Sequence, residues 1–310
     1  CSSIDQLSKK SKEIKDLEKE LTLCHANACK LITEKNKNIK INLIGFHGQT
    51  ILHKPQSKYS IQLGDSKLLS RVTNTIVISN FRENDIINGG QGAPLTPIYH
   101  QFILKKIQSK LPSAMINIGG IANITYMEES NKIIGFDSGP GNYLIDEWMR
   151  SKTDKEFDSG GLIAKSGHPN EGILNKFLSN PYYKKKFPKT LDVKDLNSQN
   201  LNTLNLEDGC ATLSMLTVKT ICLALGSFKN PPKLILLSGG GRKNKYIFDN
   251  IKKQFLNSVV LVDDFNFNGD FIESQAFAYL AIRSYFKKFI TFPSTTGVSK
   301  PCLGGKVFKS

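Results

Sequence analysis

Gly135-Phe136-Asp137-Ser138-Gly139-Pro140-Gly141-Asn142 is the stretch on which the reading of this chain turns. An apolar pair, Ile133-Ile134, leads a single carboxylate into a glycine-punctuated segment that the pattern predicts to be a loop. Glycines at alternate positions leave the backbone near Asp137 bare enough for a ligand to come close. Beyond it, Leu144, Ile145, Trp148 and Met149 predict an amphipathic helix with Asn142 as its N-cap. A strand, an acid-bearing loop and a helix N-terminus together suit phosphate binding and proton transfer. Taken alone, the same residues also fit an Asx-turn and a capping asparagine. Three further glycine-rich turns, each after a strand-like run, weigh toward the functional reading: Gly89-Gly90, Gly119-Gly120 and Gly239-Gly240-Gly241.

Working outward, strand-like and helical patterns alternate on both sides. Residues 11–34 carry Ile14, Leu17, Leu21, Cys24, Ala28 and Leu31 at helical spacing. Strands are predicted at 39–46, 60–63 and 75–81, and a helix from 97 to about 110. A strand, glycine pair and strand over 114–125 predict a hairpin with its tip toward a ligand. Residues 151–210 read as polar and turn-rich, with insertions around Pro181 and Pro188. A helix at 213–225, a buried strand at 234–238 running into the triple-glycine turn and a helix, a strand at 259–262 and a helix at 273–286 complete the series. Such alternation predicts an α/β protein of two lobes with a boundary near residue 112.

Composition narrows the function classes. A chain of 310 residues with 39% hydrophobic and 22% charged content reads as soluble and globular. No apolar run approaches the roughly 20 residues of a membrane span, so no membrane partner is expected. The six cysteines show no CxxC and no histidine partner at metal spacing, which predicts a reduced, cytoplasmic protein without structural zinc. Cys24 and Cys222 are expected to act as small hydrophobes within helices. The net charge of +15 comes from dispersed lysines whose densest run is Lys184-Lys185-Lys186, so no nucleic-acid partner is predicted, although the field would gather an anionic substrate. Neither GxxxxGK[ST] nor GxGxxG occurs, which counts against a P-loop enzyme and a dinucleotide-dependent oxidoreductase.

Taken in order, the motifs His47-Gly-Gln-Thr50, Gln62-Leu-Gly-Asp65, Phe81-Arg-Glu-Asn-Asp85, Gly89-Gly-Gln-Gly-Ala-Pro-Leu95, Asn117-Ile-Gly-Gly-Ile-Ala-Asn123, Phe136-Asp-Ser-Gly-Pro-Gly-Asn142, Gly239-Gly-Gly-Arg-Lys-Asn244, Glu273-Ser-Gln-Ala-Phe-Ala278 and Thr296-Gly297 resemble those of the anhydro-N-acetylmuramic acid kinases. That family belongs to the actin-like, sugar kinase and Hsp70 ATPase superfamily. The resemblance implies a ribonuclease H-like, two-lobed actin-like ATPase fold with a central cleft. It implies a first lobe of 1–112 completed by 292–310, and a second lobe of 113–291. It also implies the reaction: ATP and Mg²⁺ serve a hydrolytic opening of the 1,6-anhydro ring of anhydro-N-acetylmuramic acid and phosphorylation of its O6. The product is N-acetylmuramic acid 6-phosphate, in cytoplasmic peptidoglycan recycling, and a homodimer is common in the family.

Site roles follow residue by residue from the matching motifs. Asp137 is expected to be the base that deprotonates the attacking water. Asn117, Gly119, Gly120 and Gly139 are expected at the phosphates, and Gly239, Gly240, Gly241 and Asn244 at the adenosine. Arg82, Asp85 and Glu273 are expected at the sugar, where an arginine can grip the lactyl carboxylate with two hydrogen bonds. No protein metal ligand is assigned, because the ion is expected to sit on ATP and water. From the residues alone, Arg82 and Asp85 equally fit a surface ion pair, and Glu273 a helix-dipole preference. His47 and His100 fit structural roles better than catalytic ones.

Two departures from the family stand out. Its opening GxMSGTSxDG hairpin, which grips the ATP phosphates, has no counterpart in this sequence. The first lobe is therefore expected to be incomplete and the chain as it stands inactive or nearly so, with a non-catalytic nucleotide- or sugar-binding protein on the same scaffold as the alternative. Asp137 favours the enzyme, since a pure binder has no use for a base. In Phe187-Pro-Lys-Thr-Leu-Asp-Val-Lys-Asp195, Thr190 and Val193 stand where the family has Ser and Arg, so this loop is given no binding role.

Overall fold

The computed structural model describes residues 11–192, 201 and 203–309. The chain divides into two compact units, Cys1–Tyr99 with Ser274–Ser310, and His100–Glu273.

The first unit opens with α1 (Ser11–Lys35). Its contact face is rotated from the predicted stripe: Leu17 and Leu31 are exposed, as is Cys24, while Thr22 and Ala26 are buried. Polar contacts set that rotation. Glu18 accepts the Gly64 N–H at 3.0 Å and Thr22 Oγ1 accepts the Asp65 N–H at 3.0 Å. The next elements are β1 (Leu43–Gly45), β2 (Gln49–Lys54), β3 (Tyr59–Leu63), α2 (Ser66–Thr73), β4 (Ile76–Ser79), α3 (Glu83–Ile87) and α4 (Pro97–Lys106). β2 was not foreseen in the sequence; it pairs antiparallel with β3.

The second unit holds β5 (Ser113–Ile118), β6 (Ile121–Met127), β7 (Ile133–Pro140), α5 (Tyr143–Lys152), α6 (Leu162–Ser166), α7 (Glu171–Leu178), α8 (Leu206–Gly226), β8 (Leu234–Ser238), α9 (Lys245–Phe255) and β9 (Val259–Leu261). Its strands form one sheet in the order β7-β6-β5-β8-β9, with β5, β8 and β9 parallel and β6 and β7 antiparallel. The core lies on one face of that sheet, where Ile116, Ile124, Phe136 and Leu237 meet Leu213, Leu216 and Ile221 of α8. α8 corrects the hydropathy reading, because it is 21 residues long and apolar enough to cross a membrane. Its most apolar window is 72% buried, so α8 is the unit's core helix. The expected turn-rich stretch also contains α6 and α7.

α10 (Ile272–Tyr285) leads back into the first unit, followed by α11 (Pro293–Thr296) and β10 (Lys306–Phe308). There β4 lies between a parallel β1 and an antiparallel β10. Ala26, Phe46, Leu69 and Val77 are packed together as a core cluster of this unit.

Candidate active site

In β7, alternation decides which way the acid points. Phe136 is fully buried in the core, so its neighbour Asp137 lies on the opposite face of the sheet. The ladder then lines up Asp137 with Asn123, Asn123 with Asn117, and Asn117 with Ser238. Residues directly opposite one another share a face, so one polar row crosses four strands at a single level. Asp137 therefore sits on a strand and not in the predicted loop. The glycines are tolerated because β6 pairs with the segment as far as Pro140. A bulge opposite Ala122 and Asn123 leaves Ser138 out of register. It lets Asp137 join the row while Gly139 turns to Thr220 of α8, whose Oγ1 would lie 2.5 Å from an added Cβ.

Asp137 is 9% exposed and is held from the outer edge of the sheet. Its N–H donates to the Lys189 carbonyl at 2.9 Å, its carbonyl accepts the Tyr182 hydroxyl at 2.7 Å, and its Oδ2 accepts the Leu191 N–H at 2.9 Å. The loop denied a role in the sequence thus touches the principal candidate; its Val193 lies outside the described residues. Next in the row, Asn123 Oδ1 is buried without a hydrogen-bond partner among the described residues. An unmet acceptor of that kind costs about 1–3 kcal/mol, which marks this spot for a ligand or water.

The β5–β6 hairpin tip borders the row. The Gly119 carbonyl accepts the Asn142 N–H at 2.7 Å, and the Gly120 carbonyl accepts those of Gly141 and Tyr143 at 2.9 and 3.2 Å. Asn142 stands at the N-cap position of α5 with helical backbone angles and does not cap with its side chain. Its Nδ2 donates to the Ile118 carbonyl at 3.4 Å instead. After β8, Gly239 takes φ 78°, and a Cβ there would lie 2.6 Å from Asn117 Oδ1. Arg242, which sequence reasoning missed, braces this turn. It meets both oxygens of Asp263 at 2.7 and 3.0 Å, Asp270 at 2.8 Å and the Gly239 carbonyl at 3.0 Å. Arg242 and Lys243 hold the Asp270 carboxyl at about 2. Asn244 caps α9, accepting the Ile247 N–H at 3.1 Å.

Between these turns lies a pocket of about 310 Å³, lined by Asn142, Asp146, Phe157, Gly240 and Asn244 among others. Burial pushes the Asp146 carboxyl up to about 6, with Arg150 opposing. The glycines differ in what they face. A Cβ on Gly139, Gly239 or Gly241 would run into protein atoms, whereas on Gly119, Gly120 and Gly240 the nearest atoms stand 3.6, 3.8 and 3.8 Å away. The last three have their neighbours at ordinary van der Waals distance, so a methyl group there would meet no clash among the described residues.

In the first unit, Arg82 and Asp85 flank the Gly89–Gly92 turn. Asp85 is no surface residue: it is 1% exposed, and it accepts the Gly92 N–H and the Thr296 hydroxyl, each at 2.6 Å. Arg82 donates to His47 Nε2 at 3.0 Å and to the Gly92 carbonyl at 2.6 Å. His47 Nδ1 in turn donates to the Gly48 carbonyl at 2.8 Å. Burial first, then Arg82, lower His47 to about 4, so its ring is neutral and aims the guanidinium. His100, in the second unit, is fully buried against Thr125 at 2.8 Å and held at about 3 by burial. Glu273 is exposed in the first turn of α10.

A family model described as anhydro-N-acetylmuramic acid kinase matches residues 2–310. A protein of that name from Pelagibacter ubique is 43% identical over 99% of this chain and 84% of its own length. The chain belongs to that family. A second anhydro-N-acetylmuramic acid kinase, from Methylobacterium nodulans, is 39% identical over 94% of this chain and 79% of its own length. Among solved structures, a ROK family glucokinase from Streptomyces griseus in complex with glucose and AMPPNP aligns with TM-score 0.39 and 12% identity, over 83% of this chain and 87% of its own. Within the anhydro-N-acetylmuramic acid kinase motifs, sequence reasoning picked out Asp137, Asn117 and the glycines. It missed Asn123, although that residue closes a quoted motif, and the alternating pattern of β6 could have found it.

Proposed function

We propose that this chain is an ATP-dependent kinase that opens the 1,6-anhydro ring of anhydro-N-acetylmuramic acid with water and phosphorylates O6, giving N-acetylmuramic acid 6-phosphate. Family membership over residues 2–310 carries this reading. The polar row through Asp137 supports the assignment of the chemistry.

Asp137 takes a proton from the water whose oxygen bonds to the anomeric carbon. The bond from that carbon to O6 breaks, and O6 takes the γ-phosphoryl group of ATP, releasing ADP. Gly120 offers backbone to the phosphates, whereas the Gly119 N–H already donates to the Ile121 carbonyl at 3.2 Å. The pocket at Gly240 and Asn244 takes the nucleoside, with the ring of Phe157, 58% exposed, available to a purine face. Arg82, aimed by His47, is assigned to the lactyl carboxylate and Glu273 to sugar hydroxyls. Asp85 serves the sugar side through the glycine turn it holds. Among the described residues no three His, Cys, Asp or Glu side chains converge as an ion cage. Mg²⁺ would travel on the ATP phosphates with water, and no step is assigned to it. Family membership favours catalysis over the non-catalytic reading, which rests on the unmatched hairpin motif alone.

The same reading includes a cytoplasmic homodimer without nucleic-acid or membrane partners; light scattering on the purified protein checks the dimer. For the chemistry, the family's opening hairpin is restored ahead of the chain, and product formation from ATP and anhydro-N-acetylmuramic acid is followed by mass spectrometry. Asp137→Asn is expected to lower the rate by about a hundredfold or more while ATP binding stays intact. A wild-type rate in that variant would remove Asp137 as the base.

A further inference from the structure

The segment from Tyr182 to Leu191 runs along the open edge of β7 and touches it at Asp137 through three hydrogen bonds, two to the main chain and one to the carboxylate. What fixes the segment is a buried lysine. Lys189 is 6% exposed, and its Nζ donates to the carbonyls of Tyr182 and Tyr183 at 3.2 and 3.3 Å. The same ammonium lies 4.6 Å from the centre of the Tyr182 ring and 5.6 Å from that of Phe187. Phe187 stacks on Phe136 with centroids 3.8 Å apart, which ties the segment to the residue before the acid. Burial lowers the Lys189 pKa, with Lys185 adding to it, so the charge is kept there against a solvation cost.

We propose that Lys189 is a positioning residue for the reaction: it pins the Tyr182–Leu191 segment so that the Leu191 N–H orients the Asp137 carboxylate toward the water it deprotonates. The proposal rests on the reading of Asp137 as the base. A hydrocarbon core could fill this volume, yet it could not hold two consecutive carbonyls. Those carbonyls turn the chain so that the hydroxyl of Tyr182 and the carbonyl of Lys189 both reach Asp137. An acid and base must be aimed as well as present, and a displacement on the order of 1 Å costs about a hundredfold in rate. The hydrogen bonds of the Lys189 ammonium go to the Tyr182 and Tyr183 carbonyls, so its effect passes through the backbone and Leu191.

The test compares Lys189→Met, Lys189→Arg, Asp137→Asn and the double variant in the chain with the family's opening hairpin restored, with kcat, the KM for ATP, affinity for a non-hydrolysable ATP analogue and the thermal midpoint all measured. Lys189→Met is expected to lower kcat by about ten- to a hundredfold with the KM for ATP and analogue affinity unchanged. Lys189→Arg, which keeps the donors and the charge over the rings, is expected to recover most of that loss. In the Asp137→Asn background, Lys189→Met is expected to cost little more, because a positioning residue has no effect once its client is gone. Asp137→Asn inactive with Lys189→Met at full rate overturns the positioning role alone. Equal losses of kcat and analogue affinity overturn it too, in favour of general destabilisation. Asp137→Asn at full rate overturns the base assignment and, with it, this proposal.

Discussion

Two glycine-rich turns, Gly89–Gly92 in one unit and Gly119–Gly120 in the other, look alike in sequence and differ in what occupies the space beside them. At Gly90 the missing side chain is replaced by the carboxylate of Asp85, and at Gly92 by the side chain of Ile86. At Gly119 and Gly120 the nearest atoms among the described residues, chain neighbours aside, stand 3.6 and 3.8 Å from where a Cβ would be. At Gly90 and Gly92 the first turn is bare so that the protein can pack against itself, while a Cβ on its Gly89 would have no neighbour within 4 Å among the described residues; the second turn keeps its neighbours at ordinary van der Waals distance. A glycine motif reports that a backbone is approached closely. Only the neighbouring atoms say whether protein or ligand does the approaching.

The difference can be broken by exchanging the two glycines for alanine. Gly90→Ala should be the more damaging to stability. The new methyl collides with Asp85 Oδ1, and overpacking together with loss of the buried bonds to Gly92 and Thr296 is expected to cost about 3 kcal/mol in a urea titration. Gly120→Ala should leave the unfolding midpoint within about 0.5 kcal/mol of the parent and weaken ATP binding about tenfold by calorimetry. If both variants only lose stability, the hairpin tip is a packing device as well.

Smaller effects sharpen the same contrast through pH. His100 has a folded pKa of about 3 and His47 of about 4, both below the ordinary value of 6.5. The unfolded chain then binds more protons, so stability is complete above about 6.5 and is lost as pH falls toward 4. Thermal midpoints from pH 7 to pH 4.5 should fall, and His100→Gln should reduce the slope by at most about 1.4 kcal/mol per pH unit. Asp146 runs the other way. Its folded pKa of about 6 stands above the ordinary value of 3.8, so it penalises the folded state increasingly as pH rises through that window. Asp146→Asn is expected to raise the midpoint slightly at pH 7.5 and to change nothing at pH 3.5, the smallest effect of the set.

Much of the fold was legible because periodicity and punctuation agreed. The buried apolar runs of β5 and β8 and the asparagine before α9 mark local rules that the structure keeps. The failures have physical causes. Asp137 was read into a loop because glycines signal turns, whereas here a neighbouring strand supplies the pairing that the side chains do not. The stripe on α1 was misplaced because polar contacts from Glu18 and Thr22 chose its face. The contacts of Asp137 with Tyr182, Lys189 and Leu191 span more than forty residues of sequence, and no local pattern announces them.

The row of Asp137, Asn123, Asn117 and Ser238 ties reactivity to counting along the chain. Adding or deleting one residue within β6 would turn Asn123 into the oily side and bring Ile124 up beside the acid. The same change in the connection between β6 and β7, around Glu129 and Ser130, leaves that parity untouched. Length variation is therefore harmless in the β6–β7 connection and ruinous a few residues away, so inheritance of the activity is in part inheritance of an integer.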